Sequence, residues 1–118
     1  MTRLRVAGPA KRDTGRVLRH SREEFGQEAA NRYRVLLDQA LRDLADDSNR
    51  PGVRNIDDVR EGYRAFHLKF SRDRTSQPTV RHPRHVIVFR MERDGAVLVA
   101  RVFHERQLLQ RHLGDEAG

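Results

Sequence analysis

Five side chains in the second half of the chain are of types that cut phosphodiesters: Arg64, Lys69, Arg101, His104 and Arg106. Acid–base cleavage of RNA needs a base near the 2′-hydroxyl and cations on the phosphate, and these groups could supply both if one sheet face gathered them. Alternation along a strand works against that, because Arg64 and Lys69 fall on opposite faces of their segment. A nuclease reading would rest on Lys69, Arg101, His104 and Arg106; the competing reading assigns no catalytic residue. The tyrosines, Tyr33 and Tyr63, both lie far from the C-terminus. His20, His67, His82, His85, His104 and His112 include no helical His-x-x-x-His pair, and without cysteine no zinc set emerges. No metal and no cofactor is expected: the glycines form no phosphate-cradling loop, and no Ser/His/Asp arrangement stands out.

The elements that must position these groups can be read from periodicity. Asp94-Gly95 separates two apolar runs, His85 to Glu92 and Ala96 to Phe103, the pattern of a β-hairpin with a type I′ turn. A two-residue loop there would pair Met91 with Leu98, Phe89 with Ala100 and Ile87 with Val102 on a core-facing side. The other face would carry Val86, Val88, Arg90 and Glu92 beside Val97, Val99, Arg101 and Phe103, apolar enough to suggest a covering partner. Arg101 then has two readings: a strand arginine lying over Val99 and Phe103, or an anchor for an acidic partner.

Upstream, Thr2 to Val6 alternates as a short strand does. Ala10, Thr14, Val17, Leu18, Ser21 and Phe25 share a helical face, giving a helix over Pro9 to Phe25 that stops at Gly26. Gln27 to Asp47 carries a broad stripe of Ala29, Tyr33, Leu36, Leu37, Ala40, Leu41 and Leu44, the second arm of a helical hairpin. Turn formers from Asp46 to Gly52 end it, and Val53 to Glu61 reads as irregular. Tyr63 to Ser71 alternates, with Phe66, Leu68 and Phe70 inward. Residues 72–84 read as an exposed basic loop holding Arg72, Arg74, Arg81 and Arg84, and residues 107–118 as a C-terminal tail.

Composition places these elements in one domain spanning 1–118. Hydrophobic residues make up 36% and charged residues 35%, a lean core under a charged surface. The net charge of +7 favours nucleic acid, ribosomes or an acidic protein as partner. Lys11 and Lys69 are the only lysines, so the positive charge is carried almost wholly by arginine, suited to bidentate pairing. The absence of cysteine fits a reducing compartment; with no signal peptide or membrane span in view, the cytoplasm is expected.

The order strand, helical hairpin, three strands, short tail (β-α-α-β-β-β) is an α+β arrangement. With Phe25-Gly26, Glu61-Gly62-Tyr63-Arg64-Ala65-Phe66, His85-Val86-Ile87-Val88-Phe89-Arg90 and Arg101-Val102-Phe103-His104-Glu105-Arg106 leading to Arg111-His112-Leu113, the chain resembles the ParE branch of the RelE/ParE toxin superfamily from about Val6 to Leu113. The resemblance implies a helical hairpin on a mostly antiparallel sheet, and a toxin of a type II toxin–antitoxin pair. It implies DNA gyrase inhibited by binding, or, as in the RelE relatives, ribosome-dependent cleavage of messenger RNA. It further implies a hetero-oligomer with an acidic antitoxin, usually bearing a ribbon-helix-helix DNA-binding part, and no membrane partner. A non-toxic basic nucleic-acid-binding domain is a third possibility. On this reading the antitoxin covers Val97, Val99, Arg101 and Phe103, while His104, Glu105, Arg106, Arg111 and His112 meet the target. Two features depart from the family pattern: the long 72–84 loop, and Gln107-Leu108-Leu109 between the two tail motifs.

Overall fold

The computed structural model describes residues 3–75 and 80–117, with side chains as far as Arg111. A short strand β1 (Leu4–Val6) leads into helices α1 (Gly8–Phe25) and α2 (Gln27–Asp46). Pro9 sits in the first turn of α1, where its missing N–H leaves no bond unmade. Gly26, at φ 94°, closes α1 with its N–H on the Arg22 carbonyl (3.0 Å) and turns the chain into α2. The hairpin places Leu18, Leu36, Leu37, Ala40 and Leu44 on one buried face, whereas Phe25 at the junction is 75% exposed and belongs to no core.

The remaining elements are β2 (Arg54–Asn55), β3 (Tyr63–His67), a 3₁₀ helix (Leu68–Arg74), β4 (His85–Met91), β5 (Val97–His104) and α3 (Glu105–Ala117). The sheet runs β1-β5-β4-β3-β2; β1 is parallel to β5 and the other pairings are antiparallel. One face packs under the helices through Phe66, Leu68, Ile87, Phe89, Val97, Val99 and Val102. Each such buried side chain contributes about 2 kcal/mol. A smaller cluster lies on the opposite face: Ile56, Ala65, Val86, Val88, Phe103 and Leu108.

The structure revises four local expectations. The β4–β5 loop is three residues long: Glu92 N–H donates to Ala96 O (2.8 Å), and Gly95 N–H donates to Glu92 O (2.9 Å). Only Gly95, not Asp94, has positive φ, so the turn is type I closed by a glycine bulge instead of type I′. Ile87 pairs with Val102 as expected, but nearer the turn Met91 pairs with Val97 and Phe89 with Val99, with a bulge that leaves Ala100 unpaired. Leu98 therefore leaves the helix-covered face and Val97 and Val99 enter it.

Secondly, the strand from Tyr63 ends at His67, whose ring accepts the Lys69 N–H (3.0 Å) and starts the 3₁₀ helix; Phe70 consequently turns outward. Thirdly, the 72–84 stretch is not wholly a free loop. Arg74 Nε donates to Asp43 (2.9 Å), a carboxylate on α2 that also accepts from Ser71 Oγ (2.6 Å) and Gln39 (2.9 Å); residues 76–79 lie outside the described residues. Lastly, the supposed tail is α3.

Candidate functional site

Strand register brings three histidines together at one end of the sheet. His67 ends β3, His85 opens β4 opposite His104 at the end of β5, and Glu105 begins α3. Tyr33 of α2 reaches over them. The Arg84 N–H donates to Tyr33 Oη (3.1 Å), and the same hydroxyl is hydrogen-bonded to His85 Nδ1 (2.6 Å). His85 is half-buried here. Burial, reinforced by the charges of His104 and His67, pushes its pKa down to about 4. Burial likewise pushes Tyr33 up to about 12.

The His85 and His104 rings meet edge to face at 5.3 Å. The Lys69 N–H occupies His67 Nδ1, which leaves the proton on Nε2 to donate to Glu105 (2.8 Å). Arg84 donates to the other Glu105 oxygen (3.0 Å). These two bonds hold the Glu105 carboxyl below its ordinary range. His104 Nδ1 accepts the Arg106 N–H (3.1 Å), and Gln107 accepts the His104 N–H (2.8 Å). That reciprocal pair is a capping box with histidine in the N-cap place. It gives Gln107 a local role and ties His104 and Glu105 into a fixed helix start.

Arg101 is pinned internally. Beyond Val99 the strand β1 no longer covers the edge of β5, because Ala7 turns into α1, and Asp13 of α1 takes over. Asp13, 4% exposed, accepts the Val102 N–H (2.9 Å) and both Arg101 Nε (2.7 Å) and Nη2 (3.0 Å), with Arg16 alongside. Burial opposes ionisation of this carboxyl, but the Arg101 and Val102 bonds and the charges of Arg101 and Arg16 outweigh it and hold the pKa below the usual range. Nothing in the local sequence around Asp13 marks it out; its partner is 88 residues away.

The expected antitoxin surface is thus rearranged. Val97 and Val99 are fully buried under the helices and present nothing to a partner. Phe103 is also buried, with the Arg101 and Arg111 guanidinium groups each 4.6 Å from its ring centroid. Leu98 and Ala100 replace the two valines on the helix-free face, where with Val88 they line a groove of about 610 Å³. Of the target-binding candidates, His104 and Glu105 join the histidine cluster, Arg106 is exposed beside it, and Arg111 lies over Phe103. The side chain of His112 lies outside the described residues. Lys69 rests over Phe70 at 5.2 Å. Among the described residues no group of three His, Asp or Glu is placed to hold a metal ion, and no helix is long and apolar enough to cross a membrane.

A family model described as the ParE toxin of the type II toxin–antitoxin system parDE matches residues 4–109. No curated protein matches the chain. Among solved structures, one described as the chromosomal ParDE TA system from P. aeruginosa superposes with a TM-score of 0.58 at 15% identity, covering 88% of this chain and 96% of that one. At that identity the superposition speaks to the fold, and it agrees with the element order above.

Proposed function

The chain belongs to the ParE toxin family of type II toxin–antitoxin systems, and on that premise we propose that it arrests growth by binding DNA gyrase and is neutralised by a cognate antitoxin carrying a ribbon-helix-helix DNA-binding part. The observation that carries the reading is the family match from residue 4 to residue 109, which takes in every strand and both long helices. The internal commitment of Arg101 agrees with it. Arg101 is spent on Asp13, so one of the four groups a nuclease would need is already engaged. The target contact is assigned to His104 at the end of β5 and to Glu105, Arg106, Arg111 and His112 of α3.

One feature favours a second reading, ribosome-dependent cleavage of messenger RNA: the packed set His67, His85, His104 and Glu105 with Tyr33. Its weak point is His85, too poor a base at neutral pH when its pKa is held near 4. One experiment separates the two. Purified toxin is titrated into a gyrase supercoiling reaction and, in parallel, into a translation extract whose message ends are mapped. The first reading expects supercoiling to stop at near-stoichiometric toxin with intact message. Untouched supercoiling together with message cuts lost in His104→Ala would replace it with the second.

A further inference from the structure

Helix α1 buries Ala10, Leu18 and Ser21 against the rest of the fold and turns its opposite face to solvent. At 3.6 residues per turn that outer face carries Lys11, Arg12, Arg16, Arg19 and Arg22, all exposed. From end to end the row is about 16 Å long. Asp13 is the one acid between its ends, and it is buried on the inner side with Arg101 and Arg16. Arg16 therefore has a carboxylate; among the described residues Lys11, Arg12, Arg19 and Arg22 have none.

An arginine-rich composition does not by itself make such a row. On the outer side of α2, Arg34 and Arg42 are interspersed with Glu28, Asp38 and Asp46, the mixed pattern of a solvated helix face. α1 has the cations without the acids. At the middle of its row stands Gly15, four residues from both Lys11 and Arg19, where a Cβ would meet nothing within 4 Å. Glycine inside a helix costs stability relative to alanine, and no packing contact accounts for it here. What it provides is a bare stretch of helix backbone between the cations, low enough for a bulky polyanion to come close.

We propose that the outer face of α1 is a docking surface for the phosphate backbone of double-stranded DNA. Charge complementarity selects a polyanion, and phosphates recur about every 3.4 Å along each strand of a duplex, so each of the unpaired cations can meet one. The row holds no aromatic ring on which the bases of a single strand could stack. It also holds no apolar side chain for a protein helix or a membrane to bury; Phe25, exposed at the hairpin tip, lies off it. Phosphate contacts carry no base information, so the binding is independent of sequence. The surface shares no residue with the assigned target contact, and the inference stands apart from the gyrase reading.

The test uses the whole chain and labelled duplexes of about 20 base pairs in two unrelated sequences, read by fluorescence anisotropy between about 50 and 200 mM salt. Both duplexes are expected to bind alike, with affinity falling as salt rises. Replacing Arg12 and Arg19 together by Gln should weaken binding at least tenfold and flatten the salt slope by about two. Arg34→Gln combined with Arg93→Gln removes the same charge from α2 and the hairpin tip and should bind as the parent does. Gly15→Glu should melt no lower than the parent, since glutamate favours a helix over glycine, yet lose binding at least tenfold. Circular dichroism establishes that each variant is folded. If the parent binds neither duplex, or if both α1 variants bind undiminished, the assignment is overturned and the gyrase reading stands. An equal loss in the Arg34 and Arg93 double variant would overturn it too, by showing that net charge alone is at work. Tighter binding of a single strand of the same length would overturn it in favour of single-stranded nucleic acid. Binding to polyglutamate or to phosphatidylserine vesicles in place of duplex, again lost in the α1 variants, would overturn it in favour of an acidic protein or a membrane surface.

Discussion

Replacing Arg101 with Met should reveal whether this arginine is a pin or a partner contact. Its guanidinium makes two bonds, of 2.7 and 3.0 Å, to a carboxylate that is 4% exposed. Breaking a buried pair costs about 3–5 kcal/mol when the surviving charge is left uncompensated. Here Arg16 and the Val102 N–H remain on Asp13 and the Arg101 side chain is itself 35% exposed, so about 2 kcal/mol is expected. Asp13→Ala also strands the Val102 N–H on an uncovered strand edge and should cost about 3 kcal/mol. The double variant should fall short of the sum by roughly 1–2 kcal/mol, the signature of a direct pair. Urea unfolding at pH 7 measures all three; at about 2 kcal/mol per molar urea, Arg101→Met lowers the midpoint by about 1 M. Neutral pH is the right condition. A carboxyl with a depressed folded pKa contributes its stability above its unfolded value and loses it only as pH falls through the folded one. Additive losses, or an Arg101→Met variant as stable as the parent, would refute the pin and return Arg101 to the partner-facing surface.

Two further outcomes follow from buried or strained positions. His85 has a folded pKa of about 4 against an ordinary 6.5, so its contribution is complete above 6.5 and drains away as pH falls towards 4. By pH 5 this amounts to about 2 kcal/mol, and urea midpoints should drop between pH 7.5 and pH 5 in the parent but stay level in His85→Asn. An equal drop in both would show that another group is responsible. Gly52→Ala should lose about 1–2 kcal/mol by thermal melting, since Gly52 has φ 101° and a Cβ there would stand 2.6 Å from the Phe70 ring; the relief variant Phe70→Ala restores only the steric part, and full recovery would refute the backbone contribution.

The helical hairpin was legible because its information is local. Apolar residues at helical spacing and Gly26 between the arms are properties of short windows, and the observed helices start and stop within a residue or so of them. The hairpin β4–β5 was legible in existence but not in register. Asp94-Gly95 serves a two-residue and a three-residue loop equally well, and the choice shifts the pairing near the turn, with Ala100 absorbing the difference. The strand from Tyr63 misled for a similar reason: Phe66, Leu68 and Phe70 alternate as a strand would, yet the His67 ring captures the Lys69 N–H and winds the chain into a 3₁₀ turn before Phe70 can point inward. Asp13, Asp43 and Tyr33 could not be found this way. Each takes its role from a group 28 to 88 residues away, and a charged residue on a helix reads as solvated until its partner is known.

The unpaired Ala100 has consequences for the whole second face of the sheet. Before it, odd-numbered residues of β5 point to the helices, and after it even-numbered ones do, so Val97 and Val99 share a core with Val102. The first part of the strand lies under the cover of β1 and can afford to be apolar on its inner side. The second part, still paired with β4, has no strand on its other edge, and Asp13 supplies the missing acceptor at Val102 and draws Arg101 around that edge. That diversion ties Arg101 to α1, while Arg90, one strand further in, keeps a buried Nε–H without an acceptor among the described residues. A single extra residue thus accompanies the change by which Arg101 comes to hold the fold through Asp13. It also explains why the alternating pattern of β5, taken at face value, would send a mutagenesis experiment on the outward face to Val99, where an aspartate would unfold the core, instead of to Leu98.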